Sequence, residues 1–192
     1  DEYPLVTMCF ATYRKENLLN CVKQYNRQNY PNKELIIVYN GNGDISKERD
    51  IILSQDFDHI KFISSPQESG LGAALNCGIY NAKGDFFFKM DDDDYYSEYY
   101  IFDMILKFRC FNFQVFGKPQ NNFFRFENDK DIYQRENKRG ENFFCKMNDK
   151  NVSGKQIIIG NSITGRVDFL KQNLFIENSH RHTDSMFFYN LS

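Results

Sequence analysis

Three features of this 192-residue chain predict an α/β fold with a mostly parallel central sheet flanked by helices. The first hundred residues alternate short apolar runs with stretches of helical spacing, the pattern of strand–helix–strand units joined by right-handed crossovers. The opening run Leu5–Phe10 is apolar at nearly every position, as suits a strand covered on both faces. Finally, the unusual loops Ala11–Arg14, Asn40–Asp44, Ser65–Gly70 and Asp91–Asp94 each follow a predicted strand. In open parallel sheets ligands bind beyond the carboxyl ends of the strands, so these four loops are expected on one functional edge.

Leu5–Phe10 is the first strand, and Lys15–Asn29 follows as a helix with Leu18, Leu19, Val22 and Tyr25 on one stripe. Tyr30-Pro31-Asn32 breaks it before a second strand, Glu34–Tyr39. Asn40-Gly41-Asn42-Gly43-Asp44 gathers residues that tolerate left-handed backbone and reads as a loop. A helix at Lys47–Leu53, a strand at Ile60–Ser64 and a helix at Gly72–Asn81 come next, before the strand Asp85–Met90 runs into four aspartates. From Lys107 to Lys155 the periodicity weakens, with short strands predicted near Asn112–Phe116 and Phe123–Phe126 and a polar stretch over 128–142. The aromatic residues between Tyr95 and Phe126 read mostly as core packing. Order is expected again at Gln156–Gly160, then a helix near Asp168–Gln172, and Ser179–Asp184 leads into apolar Met186–Tyr189.

Composition narrows the function. Hydrophobic residues make up 41% and charged residues 26%, ordinary for a globular protein, and 192 residues suit one domain. A net charge of −2 gives no general pull toward nucleic acid or an anionic membrane, so an anionic ligand must be held by local groups. The five cysteines are scattered without a CxxC pair, which fits reduced thiols in a cytoplasmic setting. No apolar run approaches the roughly 20 residues that cross a bilayer. The chain opens on Asp1, as an excised piece of something longer would, and a membrane anchor at the inner face would lie outside it.

The acidic run Asp91-Asp92-Asp93-Asp94 carries most of the chemistry. Were the strand to continue, Asp91 and Asp93 would share a face and Asp92 would point away. Paired carboxylates are hard oxygen ligands suited to Mg²⁺ or Mn²⁺ that also takes diphosphate oxygens. A solvated acidic turn is the plain alternative, but placement directly after Phe86-Phe87-Phe88 favours the binding edge. A helix–loop–helix calcium site fails, because Tyr96 and Phe102 stand where Gly and Glu are needed. A phosphate-binding loop fails as well, since Gly160–Val167 lacks the Lys and the hydroxyl residue. A dinucleotide fingerprint is missing after the first strand, where Thr12-Tyr13-Arg14 stands.

Four pieces in series resemble the inverting glycosyltransferases of family 2, which have the GT-A fold, a Rossmann-like α/β sheet. They are Pro4–Tyr13, Glu34–Asn42, Gly70–Gly78 and Ala82–Phe86 leading into the DxD-like Asp91–Asp93. The resemblance implies a single domain over 1–192, with 1–100 the nucleotide-sugar-binding half and 101–192 the acceptor and catalytic half. It implies that Ala11, Thr12, Tyr13, Asn40, Gly70, Leu71 and Asn76 line the donor, with Asp91 or Asp92 on the nucleoside. Asp93 and Asp91 would hold Mn²⁺ or Mg²⁺; His182 is a further candidate ligand, against a polar surface turn at His180–His182. Thr183-Asp184 stands where the family has Glu-Asp, making Asp184 the candidate general base; its alternative is a cap of the terminal helix. Asn40 replaces the family's usual Asp, and an amide suits uracil or cytosine, with a UDP-sugar the expected donor.

The resemblance further implies a glycan acceptor in capsule or lipopolysaccharide synthesis. Family members commonly continue past Asp184 with elements that cover the acceptor, so truncation on that side is expected. Arg166 is left between meeting the diphosphate and pairing with a carboxylate. Two other functions compete. A sugar nucleotidyltransferase would need a Gly-rich basic loop where Ala11–Arg14 stands, and a non-catalytic nucleotide-sugar or glycan-binding domain would keep the donor site without turnover.

Overall fold

The computed structural model describes residues 3–54, 59–66, 69–111, 113–118, 123–126, 132–135, 160–177 and 183–190. The elements of the first ninety residues are β1 (Val6–Thr12), α1 (Leu18–Arg27), β2 (Lys33–Tyr39), α2 (Ser46–Ser54), β3 (Ile60–Ser64), α3 (Gly70–Asn81) and β4 (Phe86–Met90). They are followed by α4 (Tyr100–Cys110), β5 (Val115–Phe116), β6 (Phe123–Phe126), β7 (Ile132–Arg135), β8 (Thr164–Arg166), α5 (Val167–Gln172) and α6 (Thr183–Asn190).

Six strands form one sheet in the order β3-β2-β1-β4-β8-β5. The first four are parallel, whereas β8 runs antiparallel to both β4 and β5. Strands β6 and β7 pair separately as an antiparallel ribbon. The sheet is covered on both faces, which explains why its central strands are mostly apolar. On one face Met8, Phe10, Leu35, Ile37, Phe86, Phe88 and Met90 pack with α1, Ile52 of α2, and α4. On the other, Cys9, Ile36, Val38 and Phe87 meet α3, α5, Phe175 and Phe187 of α6. Side chains alternate faces along a strand, so position 89 of β4 belongs to this second face.

The predicted strands and helices of the first ninety residues are present with ends shifted by a few positions. Helix α4 was not expected. Its buried residues Ile101, Met104, Ile105 and Phe108 do recur at helical spacing. Apolar Phe102 and Leu106 occupy other positions of the same run, and this flattens the contrast between faces that reveals a helix. Further along, Gly160–Ser162 form a 3-10 turn and Thr164–Arg166 pair in the sheet. Of the remaining expectations, order over 156–159 and nearly all of the polar stretch 128–142 lie outside the described residues, apart from β7.

Candidate active site

The acidic run begins where β4 ends, and residues 92–94 form a turn. The alternation expected of a continuing strand therefore does not apply, and the aspartates divide three ways. Asp92 is buried and faces the β1–α1 turn, where it accepts hydrogen bonds from the Thr12 hydroxyl, the Arg14 guanidinium and Asn17 Nδ2. Arg14 also reaches Asp93, with Nη1 2.7 Å from Oδ2. Asn20 Nδ2 donates to the Asp92 carbonyl at 2.8 Å, which ties the acidic turn to α1 from a second side. Both Asp92 and the Thr12 hydroxyl, expected at the nucleoside, are engaged with one another.

Asp91 faces the opposite way. Its Oδ1 lies 2.8 Å from Nζ of Lys89, a side chain only 2% exposed. The same Nζ stands 3.6 Å from Oδ1 of Asp184. Residues 93 positions apart in sequence thus flank one buried ammonium. Burial opposes the Lys89 charge, but Asp91 and Asp184 outweigh it and hold its pKa above the ordinary lysine value. For Asp184, burial is the larger influence and raises its pKa, with Asp91 adding to the rise and Lys89 opposing it.

Contacts from the distal part of the chain complete this arrangement. The Tyr96 hydroxyl accepts the Asp91 N–H at 2.8 Å and donates to the Asn161 carbonyl at 2.9 Å. Asn161 Nδ2 donates to Asp94, whose carboxyl is raised mainly by burial, with the Asn161 bond opposing. The Lys89 N–H donates to the Ile163 carbonyl at 2.9 Å. Gly160 leaves room for this arrangement, because the Asp184 carboxylate occupies the space that a Cβ at position 160 would fill.

The β1 and β2 loops also meet. The Asn40 N–H donates to the Thr12 carbonyl at 3.0 Å, and Gly41 packs against the Tyr13 carbonyl. Tyr13 is 63% exposed, with the Arg14 guanidinium 5.7 Å from its ring centroid, whereas Asn40 is buried. Ala11 and Leu71 are half-buried, and Gly70 starts α3 at φ 74°, in the left-handed region that favours glycine. Asn76 is buried and committed elsewhere: Nδ2 donates to the Phe175 carbonyl and Oδ1 accepts the Phe175 N–H, each at 2.9 Å. Arg166 pairs in register with Phe86, at the far end of β4 from the aspartates, and its guanidinium lies over the Phe86 ring. His180 and His182 lie outside the described residues.

Among the described residues no three His, Cys, Asp or Glu side chains gather as a ready metal cage. Asp91 and Asp93 nevertheless each keep one carboxylate oxygen that no described residue engages. Such a donor set suits Mg²⁺ or Mn²⁺, which take one or two carboxylates and complete their shell with phosphate oxygens and water.

Sequence reasoning passed over Arg14, Lys89 and Tyr96. For Lys89 a signal existed: it is the one charged residue in an otherwise apolar strand, directly before the aspartates. Residues 6–172 match Glycosyl transferase family 2. The chain belongs to that family. Over 95 residues it is 35% identical to an uncharacterized glycosyltransferase of Rickettsia bellii, covering 49% of this chain and 14% of the relative. Over 100 residues it is 30% identical to the glycosyltransferase GlyA of Streptococcus pneumoniae, covering 50% of this chain and 14% of GlyA. The chain therefore spans a minor part of these relatives. The fold resembles residues 1–349 of S. aureus TarS, solved with UDP-GlcNAc, at a TM-score of 0.69 and 16% identity, covering 95% of this chain and 52% of that one. It also resembles the mannosyltransferase PcManGT of Pyrobaculum calidifontis, solved with GDP-Man and Mn²⁺, at 0.55 and 17%, covering 60% and 35%. These likenesses bear out the expected GT-A fold of the family 2 chain.

Proposed function

We propose that this family 2 protein transfers a sugar, with inversion, from a nucleotide diphosphate sugar to a hydroxyl of a glycan acceptor. The observation that carries the reading is the approach of Asp91 and Asp184 to one buried lysine at the carboxyl edge of the parallel strands. A UDP-sugar is the favoured donor, with Tyr13 on the base and Asn40 reading its edge. Asp93 and Asp91 are the ligands for Mn²⁺ or Mg²⁺. When bound there, the cation neutralises charge on the departing diphosphate, so that a separate general acid is unnecessary.

Asp184 supplies what remains, by taking the proton from the acceptor hydroxyl as that oxygen attacks the anomeric carbon. Its raised pKa suits the task, because a more basic carboxylate accepts a proton more readily. Arg14 holds Asp92 and Asp93 together and fixes the turn that carries the donor ligands. We assign the acceptor to surface polysaccharide of the capsule or lipopolysaccharide kind. We place the reaction on the cytoplasmic side, in keeping with free thiols at Cys9, Cys21, Cys77 and Cys110. Among the described residues no helix is long and apolar enough to cross a membrane.

Thermal melting with UDP, CDP and GDP, with and without Mn²⁺, tests the donor site. A ligand at a hundred times its Kd stabilises the folded state by about 2.7 kcal/mol, or roughly 5–10 °C for a chain of this size. Mn²⁺-dependent stabilisation by UDP that disappears in Asp93→Ala is expected. Equal shifts in Asp93→Ala, or none with any nucleotide, would contradict the assignment.

A further inference from the structure

We infer that Lys89 is a positioning residue for glycosyl transfer, holding the donor-turn carboxylate Asp91 and the base Asp184 in a fixed relation. This rests on the reading of Asp184 as the base. Lys89 takes a position on β4 whose face is otherwise apolar, with Phe87 two residues before it. An ammonium buried there is tolerated only with paired charges, and the carboxylates of Asp91 and Asp184 stand beside it. Packing alone would be served by an aliphatic side chain of similar length, without the cost of taking a charge out of water.

The geometry is asymmetric. Asp91 Oδ1 is within hydrogen-bonding distance of Nζ at 2.8 Å. Asp184 Oδ1 is 3.6 Å away, too far for a hydrogen bond, and among the described residues this buried atom has no hydrogen-bond partner. Lys89 therefore attracts the Asp184 carboxylate without engaging it, which leaves the group able to accept a proton. Without the ammonium, two carboxylates would face each other across a buried gap, and repulsion would turn Asp184 away from the reacting centre. Gly160 acts from the other side by leaving Asp184 the room to lie there. Lys89 thus acts through Asp184 and Asp91, without touching substrate.

The test is a double-mutant cycle on the full-length protein, with UDP-GlcNAc and Mn²⁺ as the probe and, as the readout, UDP set free when the sugar passes to acceptor or water. Donor Kd is measured separately by calorimetry. Asp184→Asn comes first: it is expected to lower kcat at least a hundredfold with donor Kd within threefold. If it turns over like wild type, the base assignment fails and this inference falls with it. Given an inactive Asp184→Asn, Lys89→Met is expected to lower kcat at least tenfold, again with donor Kd within threefold, and Lys89→Arg to recover part of the loss. In the Asp184→Asn background, Lys89→Met should lower kcat no further. Wild-type kcat in Lys89→Met, or full additivity with Asp184→Asn, would overturn the positioning role while leaving the base intact. Should Lys89→Met fail to fold, the melting of Lys89→Met/Asp184→Asn decides. Recovery of a folded transition supports the link, because removing one of the facing charges relieves the defect; no recovery overturns it.

Discussion

The Asp184 carboxylate lies where a β-carbon on Gly160 would stand. Gly160→Ala should therefore displace a flexible side chain rather than disrupt the backbone. We expect kcat to fall at least tenfold, donor Kd to stay within twofold, and the melting temperature to move by no more than a few degrees. Steady-state kinetics beside calorimetry on the same preparation checks this. A fully active Gly160→Ala protein would show that the observed place of Asp184 is not needed for turnover.

Arg14 and Asp92 should be coupled in stability. Asp92 is 3% exposed and the Arg14 side chain 31%, so one partner is dry and the other partly screened. Among the described residues, Arg14→Ala leaves the Asp92 charge with the Thr12 hydroxyl and Asn17 amide as hydrogen-bond donors, at a cost on the order of 2 kcal/mol after screening. Adding Asp92→Asn should restore part of that loss. Urea unfolding of both single variants and the double variant measures the coupling; strict additivity would show that the pair contributes nothing.

Asn76 holds the segment after α5 against α3 by a two-way bond to the Phe175 backbone. Asn76→Ala strands a buried N–H and a buried C=O, which costs on the order of 3 kcal/mol. Asn76→Asp retains only the acceptor and should recover little. Denaturant midpoints decide, and loss of donor affinity without loss of stability would return Asn76 to the donor site.

Asp103 predicts a pH effect away from the active site. Partial burial acts to raise its carboxyl, but hydrogen bonds and charge from Lys107 and Lys118 outweigh this and hold it below the ordinary carboxylate value. A depressed folded-state pKa means a contribution present above the unfolded pKa near 4 and lost as pH falls through the lower folded value. Asp103→Asn should therefore narrow the stability gap to wild type as pH drops from about 6 to 3. The side chain is 43% exposed, so the effect should be a few tenths of a kcal/mol.

The first ninety residues were legible because their strands are long enough, at five to seven residues, for apolar runs to stand out between loops. Strands β5 and β8, two and three residues long, are too short to carry a period. Asp91 and Asp93 were visible as a pair, but their orientation was not. It depends on where β4 stops, and on partners at Arg14 and Lys89. Arg14 joins the acidic turn from 78 positions away, a pairing that no local pattern records. Tyr96 shows the same limit, since its hydroxyl matters only once Asn161 is beside it.

That link through Tyr96 has a consequence for the order of events during synthesis. Residues 3–110 contain four parallel strands and the helices that cover one face, so the carboxyl edge of those strands can form early. Until residues 160–187 arrive, Lys89 has one carboxylate rather than two, the Asp91 N–H has a tyrosine with no acceptor at Asn161, and the second face of the sheet lacks α5 and α6. On the function proposed above, a nascent chain at that stage has the residues for a nucleotide but not the base. Docking of the later segment is then, on that reading, the moment at which a binding protein becomes an enzyme.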